Sequence, residues 1–221
     1  MMQTQSSQNQ NYNVYVGAIR LRRAIRRRRK FADISAKTIR ILTTAPILSL
    51  ALFTLLFFTG GVFESASEFA VTIVLFTLLP LTAYPLQRFL PAFRSRGREG
   101  QRTLAMIMAN IGYLLSMVYA MVAGVGSSLL TLYLTYLFSG AALLIINKAF
   151  GFHASGHACG LCGPVAAMVY FTGWPSLIVG AVLFGLCLWG SLHMGRHTVP
   201  QFFAGSAISV IVFFSLAAVL L

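Results

Sequence analysis

The chain has 221 residues, of which 57% are hydrophobic and only 10% charged, where soluble domains carry roughly 25% charged residues. So little polar surface excludes a secreted disulfide scaffold, a disordered tail and an ordinary cytosolic enzyme, and makes lipid the solvent for most of the outside. The ionic balance, 17 Lys and Arg against 4 Asp and Glu for a net +13, raises nucleic acid as a partner until the charges are placed along the chain.

The first twelve residues or so are a polar leader with no apolar pattern. Residues 1–40 then hold Arg20, Arg22, Arg23, Arg26, Arg27, Arg28, Arg29, Lys30, Lys37 and Arg40 against Asp33, a net +9. This run lies directly before a long apolar segment. It reads as a juxtamembrane arm whose Arg22–Lys30 region is drawn to anionic lipid headgroups, at about 1 kcal/mol per cation near the surface, and not to nucleic acid. The apolar run that follows is too long for a signal peptide and reads as a retained first span.

About 20 apolar residues cross a roughly 30 Å hydrocarbon core, and such segments fall at about 41–60, 68–87, 103–123, 127–147, 158–173, 175–193 and 200–220. The expected fold is therefore an all-α polytopic transmembrane helix bundle of six to seven spans with a basic N-terminal cytoplasmic arm. Residues 1–40 form the leader and polybasic segment, and 41–221 the transmembrane helical domain. Connections alternate in character along the chain. Those near 60–67, 124–128 and 173–176 are acidic or uncharged, whereas 88–102, 148–157 and 194–199 hold every cation beyond residue 40. Seven crossings place the three basic connections and the basic arm on one side, which the positive-inside rule assigns to the cytoplasm. The expected location is a multi-pass protein of the plasma membrane, with all four histidines near its cytoplasmic face.

The 119 residues from Thr103 to Leu221 contain two formal charges, Lys148 and Arg196, and both stand near histidines. An unpaired charge at the membrane centre costs roughly 2.5 kcal/mol or more, so these positions point to a site. His153 and His157 are four apart, as are His193 and His197. Side chains at i and i+4 share a helical face, so two such pairs could meet as a histidine-ligated metal or haem centre. Acids to support such ligands are scarce on that face, which offers Glu99 and Asp33. Cys159, Cys162 and Cys187 fall in apolar segments and read as small buried residues rather than a redox or metal pair.

A second chemistry uses the same residues. Ser155-Gly156-His157 opens a small-residue segment, and Gly195-Arg196-His197-Thr198 with Gln201 and Gly205 follows some forty residues on. Upstream stands Arg98-Glu99-Gly100-Gln101-Arg102. Together these resemble the motifs of the type 2 phosphatidic acid phosphatase superfamily of integral membrane phosphatases, over roughly residues 94–205. The match is divergent: Ser95, Thr103, Ala154, Ser191 and Gln201 stand where that family usually has Lys, Pro, Pro, Arg and Asp.

The resemblance implies a phosphoric ester hydrolase acting on a lipid phosphate monoester or diphosphate, of the phosphatidate or prenyl phosphate type. His197 would be the nucleophile that becomes a phosphohistidine, and His157 the general acid that protonates the leaving alcohol. Gln201 would orient His197 in place of a carboxylate. Arg98, Arg102, Ser155, the Gly156 amide and Arg196 would bind phosphate oxygens, with the helix N-terminus after Ser155 adding its positive end. No metal or other cofactor is required. The alternatives are the histidine-ligated metal or haem protein, and a lipid-phosphate-binding relative without catalysis. The shared-face expectation has a direct test: Ser95→Cys and Thr198→Cys, labelled in intact cells with an impermeant thiol reagent, should both be protected until the membrane is opened. Labelling from opposite sides would break the single-face arrangement.

Overall fold

The computed structural model describes residues 26–221, and every regular element among them is a helix. The leader and the start of the basic run, including Arg20, Arg22 and Arg23, lie outside the described residues. In chain order the helices are α1 (Arg26–Leu42), α2 (Ala45–Thr59), α3 (Ala66–Ile73), a π-helical turn (Val74–Leu78), α4 (Leu79–Leu86), α5 (Pro91–Arg94), α6 (Gly97–Ala123), α7 (Ser127–Ala149), α8 (Gly156–Thr172), α9 (Pro175–His193) and α10 (Val199–Leu220). α3, the π turn and α4 run on as one helix, Ala66–Leu86.

Five helices are long and apolar enough to cross a membrane: Ala66–Leu86, α6, α7, α9 and α10. α1 and α2, bent by 52° at Thr43–Thr44, form a sixth if taken as one broken span. Extended backbone at Thr44 and a proline in the first turn of α2 account for the bend. The seventh expected crossing is the exception. α8 has only 17 residues, about 26 Å at 1.5 Å per residue, less than a full hydrocarbon core. Its role in the bundle is central: Ala158, Leu161, Cys162, Gly163, Pro164, Ala166 and Ala167 are all buried, and α2, α9 and α10 pack around it.

Lipid-like surroundings remove the hydrophobic drive between helices, so close contact falls to small residues. A Cβ on Gly160 would press into Ala45 of α2, and one on Gly163 would come within 3.2 Å of Ser209 of α10. Two apolar clusters result. One, around Phe53, Phe76, Tyr133, Tyr136 and Phe213, is built from stacked and edge-on rings. The other, Leu48, Ala158, Leu161, Cys162, Cys187 and Phe202, underlies the start of α8. The three cysteines are free and buried, as their apolar setting led one to expect.

The basic connections converge at one end. The start of α6, the end of α7, the α7–α8 loop, the α9–α10 turn and the start of α10 border a single cleft there. Gly61, Glu64, Gly126 and Ser128, from the acidic and uncharged connections, meet at another. Gly205 lets α10 approach the cleft loop, because a Cβ there would strike the backbone carbonyl of Ser155. Since backbone cannot swing aside as a side chain can, Gly205→Ala should lower stability by about 1–3 kcal/mol. Gly185→Ala, where the added methyl meets open space, should be neutral or slightly stabilising. Thermal unfolding in detergent checks both, and equal melting of the two variants would contradict this packing.

Candidate anion site at the convergent helix ends

The cleft encloses about 280 Å³ and is lined by Arg102, Asn147, His153, Ala154, Arg196, His197 and Gln201. Local structure explains each position. Thr198 caps α10, its hydroxyl accepting from Gln201 N at 3.5 Å, while Gln201 Oε1 accepts from Thr198 N at 3.0 Å. This reciprocal box turns the chain sharply after His197. Gln201 also reaches across, its Nε2 donating to the Phe152 carbonyl at 3.2 Å, and the Ser155 amide donates to the Gln201 carbonyl at 2.9 Å. Gln201 therefore staples the two histidine-bearing loops together.

The α7–α8 loop is bent by two left-handed residues, Gly151 (φ 62°) and His153 (φ 60°). A left-handed histidine costs of order 1 kcal/mol or more and persists only where its surroundings require it. Here the ring closes on its own loop, with Nδ1 donating to the Gly151 carbonyl at 2.7 Å. Nε2 is left as the nitrogen available to a ligand. Asn147 donates through Nδ2 to the Ala154 carbonyl at 3.2 Å, and its Oδ1 is buried with no partner among the described residues. A bound water, or the hydroxyl of a partly protonated anion, would supply the missing donor.

His157 sits one turn deeper. Its Nε2 lies 2.9 Å from Thr43 Oγ1, which in turn donates to the Ile39 carbonyl at 2.7 Å. With its one proton spent on Ile39, the Thr43 hydroxyl accepts from His157, so Nε2 carries hydrogen and Nδ1 is the variable nitrogen. Cys187 Sγ completes the contact, 3.0 Å from Thr43 Oγ1.

Burial is the main influence on His197 and pushes its pKa below the usual value; the charges of Arg102 and Arg40 act in the same direction. The Gln201 side chain and the His153 backbone oppose this by favouring the protonated ring. The balance leaves His197 a neutral imidazole at pH 7, with a free nitrogen lone pair.

The structure thus brings together four of the residues singled out from sequence: Arg102, Arg196, His197 and Gln201 line the cleft. Others stand apart. Arg98 is exposed on α6 and is not among the residues that line the cleft. Ser155 is fully buried, and its hydroxyl caps α8 by accepting from Ala158 N at 3.3 Å. Its contribution is to start the helix. Gly156 is half-buried, a Cβ there coming within 3.2 Å of Leu143. His193 is engaged elsewhere, its Nε2 2.8 Å from Asp33 Oδ1 and its ring stacked on Trp189. Among the described residues no three His, Cys, Asp or Glu side chains are placed to hold a metal ion, so the two histidine pairs do not meet in one metal centre. Asn147 and His153 line the cleft without standing at any of the motif positions. The left-handed loop that aims His153 leaves only the Gly151 signal in the sequence.

Comparison of the chain with protein-family models, with curated proteins and with solved structures gives no match. The electrostatics make a prediction of their own. His197 should titrate below the ordinary histidine range, and Arg102→Gln should raise its midpoint by removing a neighbouring positive charge. Histidine-selective NMR in detergent, with His197→Gln for assignment, reads this; a midpoint unchanged or lowered in Arg102→Gln would contradict the placement.

Proposed function

We propose that the protein is a membrane phosphatase that hydrolyses a phosphate monoester or diphosphate borne by a lipid, such as phosphatidate or a prenyl phosphate. The observation that supports this reading best is the pairing of Arg102 and Arg196 with a neutral, half-buried His197 in one cleft. Guanidinium groups match phosphate oxygens in geometry and charge. A neutral imidazole beside them is a competent nucleophile toward phosphorus.

In the proposed reaction His197 attacks the phosphorus, the P–O bond to the lipid alcohol breaks, and the phosphoryl group passes to the imidazole nitrogen. A water molecule then attacks the phosphohistidine, releasing inorganic phosphate and regenerating His197. Arg102 and Arg196 stabilise the charge on the equatorial oxygens throughout. His157 supplies the proton to the leaving alkoxide: Thr43 holds its Nε2–H, and a dianion bound at the arginines offsets the burial and the positive charge of Arg40 that otherwise favour the neutral ring, so that Nδ1–H can be donated. Gln201 holds the His197 loop in place, the positioning task the resemblance gives to a carboxylate. His153, with Nε2 left available on the cleft wall, is a second candidate for proton donor.

A lipid substrate fits the location of the cleft at helix ends and the apolar surface of the bundle beneath it. The same reading puts the protein in the plasma membrane, with cleft and basic arm facing the cytoplasm and the Arg22–Lys30 region against anionic lipids.

Purified protein should release phosphate from phosphatidate in mixed micelles, unaffected by chelator. His197→Ala should reduce the rate by about a thousandfold or more, and rapid acid-free quenching should trap label on the wild type but not on this variant. His157→Ala and His153→Ala then separate the two proton donors, the true one losing about a hundredfold or more. Equal phosphate release by the wild type and His197→Ala would overturn the mechanism, and phosphate binding without release would leave a lipid-phosphate-binding protein.

A further inference from the structure

All four acidic side chains of the protein are accounted for away from the cleft. Asp33 faces His193 at 2.8 Å, and Glu99 pairs with Arg96 at 2.8 Å on the surface. Glu68 accepts from the Glu64 amide at 2.7 Å, and Glu64 lines the separate pocket beside Gly126. No carboxylate lines the cleft to neutralise Arg102 and Arg196.

A third arginine, Arg40, is not among the residues that line the cleft but acts on the same histidine. Asp33, Ala36, Arg40 and Thr43 are spaced three and four apart, so they form one stripe along α1 and the turn that ends it. Three of the four fasten that helix to α9: Asp33 to His193, Ala36 against Gly190, and Thr43 to Cys187. The fourth, Arg40, is held between these contacts and close to the site. It acts electrostatically on His197 together with Arg102. Three residues on, Thr43 touches His157. Yet Arg40 Nη1 is buried and has no hydrogen-bond partner among the described residues. A buried guanidinium nitrogen left unpaired is strongly unfavourable, and doubly so beside other cations. Its proper partner is an anion with several acceptor oxygens.

We propose that Arg40 is a phosphate ligand, its guanidinium delivered by the juxtamembrane helix α1 to form, with Arg102 and Arg196, a three-arginine cradle for a phosphate monoester dianion. This deepens the phosphate-site reading above and rests on it. Three cations without a carboxylate favour a doubly charged monoester over a singly charged diester, because each added charge on the ligand relieves repulsion among the arginines. The cradle therefore selects phosphatidate over phosphatidylglycerol. The dianion can be presented by a lipid headgroup or by free phosphate, and the two sources are separable by experiment.

The test uses the full chain in nanodiscs, as wild type, Arg40→Gln and Arg40→Lys. Inorganic phosphate binding is read by calorimetry in phosphatidylcholine discs, and lipid recognition by phosphate release from phosphatidate-containing discs. Arg40→Gln should weaken phosphate binding about ten- to a hundredfold, the loss of charge-assisted bonds. Arg40→Lys, which keeps the charge but loses the planar fork, should fall between. In phosphate-free buffer Arg40→Gln should melt no lower than the wild type, since the unpaired guanidinium is gone. Phosphatidylglycerol should not compete with phosphate. Phosphate binding by Arg40→Gln equal to the wild type overturns the proposal, as does a wild type that binds no phosphate. If the wild type hydrolyses phosphatidate and Arg40→Gln does so with unchanged KM and kcat, the cradle fails while the phosphatase reading stands. If phosphate binds in an Arg40-dependent way and nothing is hydrolysed, the cradle stands and catalysis fails. Should Arg40→Gln not fold, the Arg40→Lys comparison carries the same decision.

Discussion

Uncompensated positive charge at one end of an apolar bundle is the constraint on which the rest of this structure depends. Arg102 and Arg196 line a cleft that contains no carboxylate, and a buried nitrogen of Arg40 near it lacks a partner. Like charges gathered with no acid among them raise the energy of the folded chain unless something answers them. The same charges help keep His197 neutral, so one electrostatic condition provides both an appetite for anions and an imidazole able to attack. Strain at His153 belongs to the same place, since conformations of this kind persist where surrounding structure imposes them.

Holding such a cluster together falls to the scaffold around it. α8, short and central, starts at a fully buried serine cap, and α10 reaches that cap because Gly205 has no side chain. Gln201 joins the two histidine loops through contacts with Thr198, Phe152 and Ser155. α1 is fastened to α9 by a histidine–aspartate hydrogen bond, a small-residue contact and a threonine–cysteine contact. A segment whose composition suggests only attraction to headgroups thus contributes Arg40 to the surroundings of His197, and the turn after it sets Thr43 against His157.

Much of the bundle is legible in hydropathy, because a span must be apolar along its whole length and lipid punishes exceptions. The alternation of basic and uncharged connections likewise anticipates which helix ends meet. α8 shows where that reasoning loosens, since a helix enclosed by its neighbours need not be as long as one facing lipid. Arg102, Arg196, His197 and Gln201 are visible through motif spacing, and the structure gathers them. Ser155 was legible as a helix start, but spacing cannot tell a capping hydroxyl from a ligand. Arg98 shares a helical face with Arg102 on paper, yet one more turn takes it away from the cleft. Arg40 was hidden for a different reason: a long basic run precedes it, and only the stripe Asp33, Ala36, Arg40, Thr43 distinguishes it from an orientation signal. That stripe becomes meaningful once α9 is known to lie beside it.

Whether the cleft holds a phosphate-like dianion is decided by a structure determined with orthovanadate. Vanadate density should lie within hydrogen-bonding distance of Arg102 and Arg196 and in line with a nitrogen of His197. An empty cleft at saturating vanadate, or vanadate bound only elsewhere on the chain, would contradict it.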